Sequence, residues 1–567
     1  MNNLLNIKSF LKFLSRNKGY TAIDVFGLSV SLMFVILIAV YVERELNIDK
    51  QQENYERIYA IGNEQMLGTA VPVAYWLEER YPEIEKVCPM VTDQCKGHQI
   101  YYGEKKYIAD LVFVDSTFFD VFSFKVLDGN REKLMDGAYD AVISETYANK
   151  LFGGESPIGK SVRISDSTSV TITGIMEDVK RSVIPNVDLL LCIERVGEFN
   201  GGLTKTTANN AGSCIAFLLV KPGADLKART DEILAFFKER FWMYKGGFAE
   251  ELKIVSIPEM YFGNWMYSSL NQGDRKFSLI LMSVGILILI FAIINYINLT
   301  VAQAGQRAKE MATRRLLGSS RMDLFLRLMM EATLLTAVSF VIGLLLAKAV
   351  LPFANDLLQV RLTFEVLATP LWGGMIVAVI LLTGVLSGLL PAILISSAKP
   401  IDVVRGTFRR QTKMVFSKVF ITFQNVITIA MIAASLTMYL QIDHMIHAPL
   451  GYNTTNIIES ENVFRSKSEM EQAEDRLRQL PIVKAVGHSN GTPSSGTNNS
   501  SGEYEGKSLS FQQMQVDSAA FHIFGLEIKT DNGVANSSGG WFLNELAFKQ
   551  MELPEDAVSF KWGEDAT

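Results

Sequence analysis

"FSLILMSVGILILIFAIINYINL", Phe277 to Leu299, runs straight into "TVAQAGQRAKEMATRRLLGSSRMDLFLRLMMEATLL", Thr300 to Leu335. The first stretch carries no charged residue and is long enough for a hydrocarbon core, which takes about 20 apolar residues. A soluble core helix of that length keeps a polar face, and none is present. The second stretch is the opposite: Arg307, Lys309, Glu310, Arg314, Arg315, Arg321 and Arg327 crowd into a short loop before apolar residues resume at Leu328. An uncharged span followed by a charged connector and another span reads as a multi-span α-helical membrane protein.

Working outward, four more segments meet the same requirement: Ala22–Val42, Leu328–Leu351, Leu371–Leu394 and Val419–Leu440. Composition agrees, since 567 residues that are 49% hydrophobic and 20% charged suit a mixture of spans and soluble domains. The net charge of −6 gives no reason to expect a nucleic-acid partner. Lys8, Lys12, Arg16 and Lys18 precede the first span, but "YVERELN" follows it where a signal peptide would have small residues, so an uncleaved anchor is expected. Lys and Arg collect in short cytoplasmic loops. They are dense before the first span, in 300–327 and in 395–418, whereas 352–370 has only Arg361 among the cations, with Asp356 and Glu365.

The expected order follows. Residues 1–21 are a basic cytoplasmic N-terminus, 22–42 the first span, 43–276 an extracytoplasmic domain and 277–299 the second span. A cytoplasmic helix in 300–327, the third span 328–351, an outer loop 352–370 and the fourth span 371–394 come next. A cytoplasmic loop 395–418, the fifth span 419–440 and a second outer segment 441–567 complete it. Asp24, Glu331, Gln424 and Asn425 lie near cytoplasmic span ends and suit snorkelling or helix contacts better than an ion path. Gly27/Ser31, Gly384/Gly388 and Ala430/Ala434 are small-residue pairs at helical spacing, which permit close helix approach.

The outer segment contains "GESPIGKS", Gly154 to Ser161, which spells the phosphate-loop pattern with Gly154, Gly159, Lys160 and Ser161. Phosphate capture needs a strand before the loop and a helix N-terminus after it. Here Tyr147, Ala148, Leu151 and Phe152 mark a short amphipathic helix before it, and Val162, Ile164, Val170 and Ile172 alternate as strands after it. The context is reversed, so a structural turn is expected and no cofactor is assigned. Phe118, Phe119, Phe122 and Phe124 are read as core. Val114, Asp115, Ser116, Phe119 and Phe122 recur as Val516, Asp517, Ser518, Phe521 and Phe524, and Glu145 recurs as Glu545, about 400 residues on. That argues for a duplicated unit. The second copy stops at Thr567, short of a return to the membrane, so a partial last domain is expected and the chain reads as a fragment or truncated product. "TPSSGTNNSSG", Thr492–Gly502, reads as a loop. The histidines do not cluster into a metal site. Cys88 and Cys95 are close enough in sequence for a disulfide; buried free thiols are the alternative.

Ile294–Leu335, "LPAILISSAKPIDVVRG" (Leu390–Gly406), "VDSTFFDVFSF", "LFGGESPIGKSV" and "QIDHMIHAPLGY" together resemble the FtsX-like, MacB-type permeases of ABC transporters. The resemblance implies a large α+β extracytoplasmic core domain, with a mixed α/β lobe and a β-rich lobe near 95–205, in the inner membrane. It implies a non-catalytic permease subunit whose partner is a cytoplasmic ABC ATPase using Mg-ATP. Coupling would pass through a helix from Gln303 to Leu317 carrying Arg307, Lys309, Glu310, Arg314 and Arg315, ended by a left-handed Gly318 and followed by a Ser320/Asp323 capping box. Arg405 would meet the ATPase or lipid headgroups. A topology-setting loop is the plainer reading, but Glu310 favours docking because orientation needs no acid. Efflux or lipoprotein or peptide export by mechanotransmission would follow, with a periplasmic adaptor or lipoprotein and a homo- or heterodimer of permeases as further partners. The rival is a membrane-anchored sensor without transport.

Overall fold

The computed structural model describes residues 18–92, 96–165, 168–199, 203–208, 210, 212–302, 304–358, 360–397, 415–460, 467–493, 498–504, 507–531, 533, 541–554, 557, 561–562 and 565–566. The chain divides into two units, Met1–Val426 and Ile427–Thr567.

The first unit begins with α1 (Lys18–Leu46). An α/β domain follows: β1 (Ile58–Gly62), α2 (Val71–Arg80), β2 (Ile84–Val91), β3 (His98–Tyr102), β4 (Lys105–Ala109), β5 (Leu111–Val114) and α3 (Phe118–Val121). It continues through β6 (Val126–Gly129), β7 (Asp140–Ser144), α4 (Glu145–Phe152), β8 (Ser161–Arg163), β9 (Ser169–Met176), β10 (Leu189–Cys192), α5 (Val196–Phe199) and β11 (Ile215–Val220). It closes with α6 (Thr230–Arg240), α7 (Trp242–Lys245), β12 (Lys253–Ser256) and α8 (Ile257–Phe262).

All twelve strands join one sheet, ordered β12-β1-β11-β2-β5-β10-β7-β9-β8-β3-β4, with β6 added beside β9. β5/β10 and β7/β9 are parallel and the other pairs antiparallel. The sequence dictates position in the sheet. "IAFLLV" of β11 is apolar throughout and buried at every residue, as an inner strand covered on both faces must be. β9 alternates, burying Val170, Ile172 and Met176 and leaving Ser169 and Thr171 outside. Helices α2, α6 and α7 cover the β1, β2 and β11 end with Leu77, Phe237, Phe241 and Tyr244. Phe118, Phe119, Phe122 and Phe124 are buried as expected, with Phe122 edge-on to Phe217 at 5.0 Å. The two lobes anticipated for this domain therefore share one continuous sheet, because β2 pairs with both β11 and β5 and carries the ladder across.

Four long helices follow: α9 (Arg275–Ala302), α10 (Ala304–Leu316), α11 (Arg321–Leu358) and α12 (Pro370–Ser397). α1, α9, α11 and α12 contain the first four expected spans, and α13 (Val415–His447) contains the fifth, so among the described residues five helices are long and apolar enough to cross a membrane. α1 packs against α9 and α11, and α11 against α12. Close approach uses small residues. A Cβ at Gly384 would lie 2.7 Å from Thr333 Cα, and one at Gly388 2.8 Å from Ala332 Cβ. Gly343 does the same for α1, which the sequence reading missed: its Cβ would lie 2.9 Å from Ser29 O. Ala430 and Ala434, in contrast, are exposed on α13.

The second unit holds α14 (Lys467–Arg478), a hairpin of β13 (Asn498–Tyr504) and β14 (Lys507–Gln513), α15 (Ser518–Ile523) and α16 (Glu545–Gln550). This order repeats α2, β3–β4, α3 and α4 about 400 residues on, as α13 repeats α1. The pairing repeats too: Ser489 faces Val516 antiparallel, as Met90 faces Val114. One expectation is corrected. Asn498–Gly502 is strand and not loop, because "KSLSFQQ" offers it a full antiparallel partner; residues 494–497 lie outside the described residues.

Candidate functional site

The charged connector becomes α10. Its apolar side, Ala308, Met311 and Ala312, is buried against Leu324, Leu328, Ala392 and Ile395 of α11 and α12. Lys309 and Thr313 are exposed, while Glu310, Arg314 and Arg315 are half-buried. Arg314 pairs with Glu310 one turn back at 3.1 Å. The helix ends at Leu316, where Gly318 takes φ +99° and the Ser319 N–H returns to Arg314 O at 3.1 Å. Ser320 N–H and Oγ both donate to Asp323, and Asp323 N–H donates to Ser320 Oγ, which completes the expected capping box and starts α11 at once. The connector is thus a short helix joined to the next span by the four residues 317–320 and seated in a groove between two spans.

Arg307 departs from the other charges. It turns inward to Glu331 of α11, where Arg327 also donates at 3.2 Å. Among the described residues, Lys309, Glu310 and Arg314 remain on the outward side of α10, while Arg315 falls at helical spacing from buried Ala308, Met311 and Ala312 and is half-buried. Gln303 and Arg405 lie outside the described residues.

At the opposite end of the same helices the sheet domain is gripped by both of its stalks. Glu45, near the C-terminus of α1, is buried, bonded to Arg44 at 2.9 Å and to Tyr261 OH of α8 at 2.9 Å. Asp49 N–H donates to Arg181 O, and Asp49 Oδ2 accepts from Val183 N–H at 2.7 Å. Glu43 pairs with Arg181 at 3.1 Å. Asn271, just before α9, binds Ser182 O and Ile184 O of that loop. One loop, 181–184, thus receives the end of α1 and the approach to α9. Sequence reading missed this junction, because its members are ordinary polar residues far apart in the chain.

"GESPIGKS" lies between α4 and β8, the order expected of a turn. Gly159 N–H donates to Ile172 O at 2.8 Å and Lys160 N–H to Pro157 O at 3.0 Å. Lys160 Nζ pairs with Glu155 at 2.6 Å over the Phe152 ring. These donors are spent on the turn itself. Among the described residues Cys88, Cys192 and Cys214 are free, buried thiols, and burial pushes Cys214 up to about 12. Cys95, the other half of the expected disulfide, lies outside the described residues.

A helical membrane bundle that carries a mixed-sheet domain on two stalks and a charged helix between its second and third spans defines a class, the membrane permeases with a large outer domain. Residues 21–235 match the MacB-like periplasmic core domain and residues 282–400 the FtsX-like permease C-terminal domain. The chain belongs to the FtsX-like, MacB-type ABC transporter permeases, and its sheet domain is extracytoplasmic. Over 252 residues it is 23% identical to the macrolide export ATP-binding/permease protein MacB of Aggregatibacter actinomycetemcomitans, covering 43% of this chain and 36% of that protein. It is 22% identical over 314 residues to MacB of Neisseria gonorrhoeae, covering 54% and 45%. The uncharacterized ABC transporter permease YknZ of Bacillus subtilis is 21% identical over 327 residues, covering 57% and 76%. The chain thus spans less than half the length of these MacB relatives. Among solved structures, a permease domain from Porphyromonas gingivalis is 17% identical with TM-score 0.31, covering 41% of this chain and 99% of that one. The periplasmic region of MacB from Actinobacillus actinomycetemcomitans is 14% identical with TM-score 0.27, covering 37% and 91%.

Proposed function

We propose that this chain is a permease subunit that hydrolyses no ATP and is driven by a separate cytoplasmic ABC ATPase. The ATPase docks on the outward side of α10 and consumes Mg-ATP. Its movement passes through α1 and α9 to the extracytoplasmic domain, which exports a drug, peptide or lipoprotein by mechanical displacement, alone or with a periplasmic adaptor. The N-terminus lies in the cytoplasm and the protein in the inner membrane.

The observation that carries this reading is the division of α10 into two faces. One face is packed into the groove of α11 and α12; the other presents Lys309, Glu310 and Arg314. A loop that only set orientation would need cations alone. Reversing Glu310, Arg314 and Arg315 together is expected to abolish co-purification of the ATPase from detergent extracts. Full retention by that triple variant would favour the sensor instead. ATP hydrolysis by the purified chain that disappears with Lys160→Ala would overturn the assignment of the ATPase to another subunit.

A further inference from the structure

We propose that Arg307 is a positioning residue inside the bundle, which clamps α10 to α11 through Glu331 and has Asp24 of α1 as a reserve carboxylate. The inference rests on the docking reading only in its purpose, which is to make α10 move as one body with the spans.

The geometry is specific. Arg307 donates to Glu331 Oε2 and Arg327 donates to Glu331 Oε1, so both oxygens of one buried carboxylate are engaged by two guanidinium groups. The side chains of Arg307, Glu331 and Arg327 are 12%, 7% and 9% exposed. Two guanidinium groups on one carboxylate in a site largely shielded from water make a further nearby anion favourable. Asp24 is that anion. Arg307 is the cation that acts on it electrostatically, yet its Oδ1 is buried without a hydrogen-bond partner. Two Arg, Glu331 and Asp24 make a neutral set spread over three helices. Only one of the two carboxylates is bonded to Arg307, so the guanidinium has a second place to go. A guanidinium able to pass from Glu331 to a second carboxylate on a neighbouring helix would be a bistable contact of the kind that relays rigid-body movement.

The test uses the full chain in native membranes without any ATPase. Met311→Cys lies under α10 and is 2% exposed, so its rate of modification by a membrane-permeant maleimide reports how often α10 lifts from its groove. Arg307→Glu is expected to speed labelling roughly a hundredfold, the consequence of breaking a buried pair. Arg307→Lys, and the swap Arg307→Glu with Glu331→Arg, restore slow labelling. The reserve role predicts non-additivity: Asp24→Asn alone and Glu331→Gln alone each change the rate less than about threefold, and together they match Arg307→Glu. Unchanged labelling in Arg307→Glu overturns the clamp. Full opening in Glu331→Gln alone overturns the reserve carboxylate. Loss of ATPase retention in Arg307→Gln with position 311 still protected would return Arg307 to the docking surface. Failure of any ATPase to co-purify would sink the proposed function and leave the labelling results standing.

Discussion

Asp49 lies three residues past α1 in the left-handed region, with φ +54°, and is fully buried. Asn and Asp tolerate that conformation better than other side chains. Burial pushes its carboxyl up to about 6, against hydrogen bonds from Ser182, Val183 and Gln52 that pull the other way. Between its ordinary value of 3.8 and about 6 the folded chain keeps a proton that the unfolded chain has released. Stability contributed by this group therefore falls as pH rises through that window. Asp49→Asn suits the same backbone and can still accept from Val183. It is expected to leave stability unchanged near pH 4 and to raise it by about 2 kcal/mol at pH 7, read as a higher unfolding temperature of the detergent-solubilised chain at pH 7 only. Nothing in "NIDKQQ" (Asn47–Gln52) advertises this residue. Its chemistry comes from a loop more than a hundred positions away, where no local pattern reaches. Gly318 was legible, because a glycine after a charged helix has a narrow set of uses.

At the scale of elements, the spans and their small-residue pairs were readable because apolar length and helical spacing are local properties. What they pack against is not local. Gly384/Gly388 meets α11, while Ala430/Ala434, written in the same pattern, is exposed. Gly384→Val would place new atoms against Thr333 backbone, which has no rotamer to swing away. Overpacking of that kind costs about 1–3 kcal/mol, so a lower unfolding temperature is expected, whereas Ala430→Val should be neutral. The stalk junction invites a second measurement. Burial and Glu45 push the Tyr261 hydroxyl pKa upward, so it stays a hydrogen-bond donor. Tyr261→Phe leaves Glu45 short of one buried partner and should cost about 1–3 kcal/mol; Glu45→Gln together with Tyr261→Phe should cost less than the sum of the single changes. The strand at Asn498–Gly502 escaped notice for a related reason. Asn, Ser and Gly have poor strand propensity, and it was the facing strand, with Leu509 and Phe511, that recruited them.

For the whole molecule, the arrangement of spans was legible from hydropathy, and the sides of the membrane follow from loop charge alone. That second step has a direct check. Lys106→Cys in the β3–β4 hairpin should react with a membrane-impermeant maleimide on cells whose outer membrane has been permeabilised, while Lys309→Cys should react only after the inner membrane is opened. Among the described residues Cys88, Cys192 and Cys214 are buried and add little background, and Cys95 is changed to Ser beforehand. Reaction of position 309 from outside would invert the topology. The outer domain's single sheet was not foreseeable, since β2 joins its two ends through partners 22 to 136 positions away in the chain, such as Phe113 for Val91 and Val220 for Ile84. At the two ends of its strand order the sheet has free margins, β12 and β4. An unpaired strand margin is a template on which a foreign chain can grow. Here β4 opens with Lys105 and Lys106 and β12 with Lys253, all solvated or nearly so. Bringing two such rims together would force like charges into register. Lysines on a sheet rim are a device that disfavours edge-to-edge growth.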